Sequence, residues 1–198
     1  MLESIKKQVL EVAVEAESCG LCMHKSGNFS MMDRESGCMV ISPSGLNRRS
    51  LTIDDFPVLS QDGHIVEAGA RGKPSIEYLM HLKAYQCRED ILSIVHTHSH
   101  YATAFATLGM AIEPVVFEAL FYGKNTEIAP CGIPGSEELA ESIMAPLRKA
   151  DVCLLKNHGV LVVGDEDMEG TLLKAQYVED VAKVYHLMLT IGGKPELI

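Results

Sequence analysis

Val152-Cys153-Leu154-Leu155-Lys156-Asn157-His158-Gly159-Val160-Leu161-Val162-Val163 is the stretch that decides the architecture. Two apolar runs, Val152–Leu155 and Val160–Val163, flank a tight Asn157-His158-Gly159 connection. Short apolar runs of this kind read as buried strands, and the link leaves no room for a helical crossover, so the pair is antiparallel. Working outward, Leu92–His96 is a further β-rich run, and Asn28–Met32, Cys38–Ile41 and a segment near Val58 read as short strands. Gly37 and Pro43-Ser44-Gly45 punctuate them. Val115–Phe117 and Glu127–Ala129 are two more candidate strands.

Helical patterns surround these runs. Leu2, Ile5, Val9 and Val12 recur at helical spacing, with Gly20 as the stop. Ile76 to Cys87 carries Ile76, Leu79, Met80 and Lys83-Ala84 on one face, and an Ala-rich helix lies near Ala102–Leu108. Ser136 caps another helix, with Glu137 and Glu138 in its first turn, and Asp167 to Thr190 is a long closing helix. The fold expected is α/β: a mixed, mainly antiparallel sheet covered by helices on both faces, not a doubly wound parallel sheet. No linker or repeat divides the chain, so a single domain over residues 1–198 is expected.

Composition narrows the function. The chain has 198 residues, 47% apolar and 22% charged, which suits one sizeable core and excludes a disordered polypeptide. Lys and Arg number 17 against 27 Asp and Glu, a net charge of −10 without a basic stripe, so nucleic acid is not the expected partner. No apolar run reaches membrane-spanning length and the first residues lack a signal-peptide core, so a cytoplasmic protein is expected. Six scattered cysteines then read as reduced thiols. Cys19-Gly20-Leu21-Cys22 closes a helix instead of opening one, unlike a redox motif.

The chemistry concentrates in Val95-His96-Thr97-His98-Ser99-His100. Residues two apart on a strand share a face, so His96 and His98 converge as two ligands of one metal ion would. His100 reads as a solvent or supporting residue beyond the strand end. His158, at the tip between two buried strands, offers a third imidazole. Glu77, early in the helix after Lys73-Pro74-Ser75, is the candidate general acid/base. Three turns could cradle an anion: Ser26-Gly27-Asn28-Phe29-Ser30, Ser42-Pro43-Ser44-Gly45 and Lys73-Pro74-Ser75.

Taken in order, Gly27-Asn28-x-Ser30, Ser42-Pro43-Ser44-Gly45, Pro74-Ser75-x-Glu77, His96-Thr97-His98 and Asn157-His158-Gly159 make the chain resemble the class II aldolase/adducin family. The resemblance implies a three-layer α/β/α fold and a homotetramer with active sites between subunits. It implies zinc (or manganese, iron or cobalt) held by His96, His98 and His158, with Glu77 as fourth ligand at rest and as acid/base during turnover. It further implies that Gly27, Asn28, Ser44, Gly45 and Ser75 hold a substrate phosphate. The implied activity is cleavage of a ketose 1-phosphate of the L-fuculose type to dihydroxyacetone phosphate and an aldehyde, through a zinc-stabilised enediolate. A pentulose-phosphate 4-epimerase, a methylthioribulose-1-phosphate dehydratase and a non-catalytic adducin-like domain remain alternatives.

Some positions depart from the pattern. Phe117 stands where the aldolases of the family carry a proton-donating tyrosine, and Tyr101 and Tyr122 are the nearby phenols. Lys25 replaces a small hydroxyl residue, Ile76 replaces a second serine, and the chain ends at Ile198 without the longer tail of some members.

Overall fold

The computed structural model describes residues 2–194 and 196–198. Eight strands form one sheet: β1 (Asn28–Asp33), β2 (Cys38–Ile41), β3 (Val58–Ser60), β4 (Ile65–Glu67), β5 (Ser93–Thr97), β6 (Thr126–Ala129), β7 (Val152–Leu155) and β8 (Gly159–Gly164). Their spatial order is β4-β3-β2-β1-β5-β8-β7-β6, and every neighbouring pair is antiparallel except β6 with β7. That parallel pair is bridged by two short helices, α4 (Glu137–Ser142) and α5 (Met144–Leu147), as parallel strands require a crossover. The expected Val152–Val163 hairpin is β7 and β8, paired from Val152↔Val162 to Leu155↔Gly159.

Away from the edge strand β4, both faces of the sheet are buried, successive side chains alternating between two cores. Val95, Val160 and Val162 point to the face covered by α1 (Glu3–Ser18), α3 (His100–Leu108) and α6 (Met168–Ile191). Ile94, Leu161 and Val163 point to the opposite face, under α2 (Tyr78–Cys87), α4 and α5. Helices therefore flank both faces of the sheet, and the three-layer expectation is met. Among the described residues no helix is long and apolar enough to cross a membrane.

Three details differ from the sequence reading. Val115–Phe117 is not a strand: Val116 instead caps a 3-10 helix, Phe117–Tyr122, whose Ala119 and Tyr122 enter the core. Short apolar spacing here serves a helical turn, and Pro114 just before it has no N–H for a ladder. The edge strand β4 escaped notice because Ile65 and Val66 are exposed and three residues long is too short for a pattern. Helix α2 starts at Tyr78, so Glu77 sits at its N-cap and not within its first turn.

Candidate active site

The site lies where β5 meets the start of α2. His96 is in β5, fully buried, while His98 lies one residue beyond the last strand position, Thr97. The period-two argument still holds, because His96 Nε2 and His98 Nε2 are 3.1 Å apart. His158 arrives from the loop between β7 and β8, and the ligand atoms of all three histidines lie within 4.8 Å of one another. The ring centroids are 4.9 Å apart in each pair, and the ring planes cross at 70–79°. His96 Nδ1 donates to the Val160 carbonyl at 2.9 Å, which leaves Nε2 with its lone pair aimed into the cluster.

The β7–β8 loop reaches the cluster by two backbone devices. Asn157 takes a positive φ of 60°, a conformation that asparagine tolerates better than most residues. Gly159 is needed for a different reason than the turn. A Cβ there would sit 2.4 Å from the Thr97 carbonyl oxygen and 2.9 Å from a ring carbon of His98. Thus this glycine lets β8 close against β5 beside the histidines.

Glu77 completes the constellation. It is 5% exposed, and its Oε2 lies 3.3 Å from His96 Nε2 while Oε1 lies 3.3 Å from His158 Nε2. Burial opposes its ionisation, but the adjoining His96 and His158 imidazoles and the Asn28 amide together outweigh it. The carboxyl is held well below the usual range. Burial pushes His98 and His158 down to about 4, with His96 adding to the shift, so both rings are neutral and fit to ligate at pH 7. Three imidazoles and one carboxylate are a donor set that divalent zinc, manganese, iron and cobalt accept. Oε1 of Glu77 and Nδ1 of His158 are buried without a hydrogen-bond partner, and a cation beside Oε1 would satisfy the former.

The three turns singled out as anion cradles come together. Ser42 N donates to Phe29 O at 2.9 Å, and Phe29 N to Ser42 Oγ at 3.1 Å. Ser44 N donates to Lys73 O at 2.9 Å and Ser75 N to Ser42 O at 3.1 Å, flanking a Pro43–Pro74 bridge. Gly27, Ser44, Gly45 and Ser75 therefore belong to adjoining segments on the Glu77 side of the site. At Gly27, with φ of 77°, a Cβ would stand 2.5 Å from the His96 carbonyl oxygen. Asn28 faces His96 across the β1–β5 ladder. Its side chain turns inward, Nδ2 donating to Glu77 Oε2 at 2.7 Å and Oδ1 meeting His81 Nε2 at 2.5 Å. One amide hydrogen remains for a ligand.

Sequence reading missed His81, Ser30 as its partner, and Arg48. His81 stands one helical turn after Glu77, a spacing that carries a signal, but its partners are remote in sequence. Arg48 is 6% exposed and donates to the carbonyls of His24 at 3.1 Å, Gly27 at 2.9 Å and Ser26, with Glu17 at 3.6 Å. Of the alternative phenols, Tyr122 is buried in the core on the other face from Glu77, and Tyr101 packs against His186 and Lys183. Phe117 is 72% exposed. His100 is exposed at the start of α3.

The sheet and the histidine–glutamate cluster define a class. Residues 7–186 match the family described as class II aldolase and adducin N-terminal domain, and the chain belongs to that family. Among named relatives, 5-deoxy-D-ribulose 1-phosphate aldolase of Bacillus thuringiensis serovar kurstaki is 35% identical over 198 residues, all of this chain and 91% of that protein. A solved structure of L-fuculose 1-phosphate aldolase superposes with a TM-score of 0.93 at 30% identity, covering 98% of this chain and 90% of that one. An L-ribulose-5-phosphate 4-epimerase of Salmonella paratyphi C is 40% identical over 111 residues, 56% of this chain and 48% of that protein.

Proposed function

We propose that the protein is a metal-dependent aldolase that cleaves a ketose 1-phosphate to dihydroxyacetone phosphate and an aldehyde. The observation that carries this reading is the Glu77 carboxylate set 3.3 Å from both His96 and His158, at a three-imidazole cluster beside joined anion cradles. Two relatives named for aldolases of ketose 1-phosphates, L-fuculose and 5-deoxyribulose, support it.

In this reading His96, His98, His158 and, at rest, Glu77 hold zinc. A divalent cation there supplies Lewis acidity for the negative charge that develops on the substrate oxygens as the C3–C4 bond breaks. Gly27, Asn28, Ser44, Gly45 and Ser75 hold the phosphate through the backbone N–H groups of the two glycines, the two serine hydroxyls and the remaining Asn28 hydrogen. Glu77 exchanges a proton with the three-carbon fragment through Oε1, the oxygen without a protein partner. The core on both sides of the sheet keeps water from the buried face of the cluster. We further propose a single domain over residues 1–198 in a cytoplasmic homotetramer, with active sites between subunits. The exposed Phe117, Leu120, Phe121 and Ile133 support such an assembly, since apolar surface of this kind marks contacts.

The test is release of dihydroxyacetone phosphate from L-fuculose, L-rhamnulose and 5-deoxyribulose 1-phosphates, with and without chelator. Release abolished by chelator is expected, with about one metal ion per chain. The epimerase relative gives a second reading its footing. Carbon-conserving inversion at C4 with no triose release would establish that reading and reject cleavage. Loss of water would indicate a dehydratase instead, and inertness with no bound metal an adducin-like binding domain.

A further inference from the structure

Beneath the site runs a chain of hydrogen bonds that ends on Glu77. Tyr85 OH lies 2.8 Å from Ser30 Oγ, Ser30 Oγ 2.6 Å from His81 Nδ1, His81 Nε2 2.5 Å from Asn28 Oδ1, and Asn28 Nδ2 2.7 Å from Glu77 Oε2. Ser30 and His81 are 0% exposed, and Tyr85, Asn28 and Glu77 are 4–5% exposed, so water does not substitute for any member.

The ends of the chain set its direction. An ionised carboxylate only accepts, so Asn28 must turn its NH2 to Glu77 and its carbonyl to His81. The carbonyl also only accepts, so His81 Nε2 must carry the hydrogen. In a neutral ring Nδ1 then accepts, Ser30 donates to it, and Tyr85 donates to Ser30. With the opposite amide orientation, Asn28 Oδ1 would face Glu77 Oε2, oxygen against oxygen in a buried site.

Resting on the aldolase reading, we propose that His81 is a positioning residue for the reaction: its Nε2–H locks the Asn28 amide, the amide holds Glu77 Oε2, and Oε1 alone is left to meet metal, proton or substrate. Burial also pushes His81 down to about 3, which keeps the ring neutral and the roles of its two nitrogens distinct. No atom of His81 needs to touch substrate. Its effect passes through Asn28, whose backbone is fixed by β1 opposite His96.

Two variants and one spectrum test this. His81→Leu removes the donor, whereas His81→Gln retains an N–H near the place of Nε2. Expected for His81→Leu is a kcat lowered about 10- to 100-fold, the range for losing a support one step behind a ligand, with KM and metal content little changed. His81→Gln should recover most of that loss. In metal-free wild-type protein, the 15N spectrum of the His81 ring should show the Nε2–H tautomer, assigned by its disappearance in His81→Gln. An Nδ1–H tautomer would overturn the proposal, and so would wild-type kcat in folded, metal-loaded His81→Leu. Equal loss in both variants accompanied by loss of metal would reduce His81 to a structural role, again rejecting it. Should His81→Leu fail to fold, Ser30→Ala takes its place, with a smaller loss of kcat expected and unchanged kcat overturning the idea. If no panel substrate is cleaved by the wild type, the kinetic arm refutes the aldolase reading, while the spectrum still decides the tautomer.

Discussion

The two oxygens of Glu77 are not equivalent. Oε2 accepts from Asn28, and Oε1 is buried with no hydrogen bond. Glu77→Gln keeps the shape and an oxygen donor but cannot exchange a proton, so it should retain most of the bound metal and lose turnover by about 100-fold or more. Metal analysis beside a triose-phosphate release assay checks both halves, and unchanged turnover would remove Glu77 from the mechanism. Gly159 makes a separate residue-scale case. A methyl group there would meet the Thr97 carbonyl at 2.4 Å and ring carbons of His98 and His96 at 2.9 and 3.2 Å. Gly159→Ala should weaken metal binding about 10- to 100-fold and cost roughly 1–3 kcal/mol of stability by overpacking. Chelator competition and denaturant melts would measure the two effects.

Between elements, two arginines fasten loops to the body of the fold. Arg48 gathers the carbonyls of His24, Ser26 and Gly27 and so fixes the loop entering β1, itself one of the three candidate anion cradles. Arg48→Met should raise KM for the phosphate ester roughly tenfold, with a smaller change in kcat, because the cradle is misplaced while the histidines stay. Steady-state kinetics and weaker inhibition by inorganic phosphate would register it. Arg71 bonds both oxygens of buried Asp55, tying the 3-10 turn Ile53–Asp55 to the loop that leads to Pro74-Ser75. Chiefly through that bond, Asp55 ionises at about 2 instead of its ordinary 3.8. A depressed carboxylate stabilises the fold fully above about pH 4, and the contribution is lost as pH falls towards 2. Arg71→Ala should therefore melt earlier than wild type at neutral pH, and the difference should shrink across that acid window.

At the scale of the molecule, much of the sheet was legible because its central strands are unbroken apolar runs with short links. Val152–Val163 and Leu92–His96 announce themselves in this way, and alternate residues of the second place His96 beside His98. What escaped was whatever depends on remote pairing. Ser42 meets Phe29 and Ser75 meets Ser42 through bonds between distant turns, and His81 finds Asn28 from 53 positions away. Val115–Phe117 misled because a few apolar residues do not distinguish a strand from a 3-10 turn. That turn also leaves Phe117, Leu120 and Phe121 exposed, at 72, 51 and 57%. In the proposed homotetramer, Phe117→Glu should shift the molecular mass in sedimentation towards smaller species without altering the melt of the separate chain. A tetramer indifferent to this change would place the interface elsewhere.

The sheet order also dictates a sequence in time. Strand β8 lies between β5 and β7, although the seven other strands all precede it in synthesis. While a nascent chain lacks Gly159–Gly164, β5 can pair with β1 on one side, but its other edge stays open. His158 is by then made, but until β8 pairs with β5 the β7–β8 loop is not held beside His96 and His98. The last strand to enter thus seals the open edge of buried β5 and sets the third imidazole in place in one event. A partly made chain is left both adhesive and unable to assemble the whole histidine cluster.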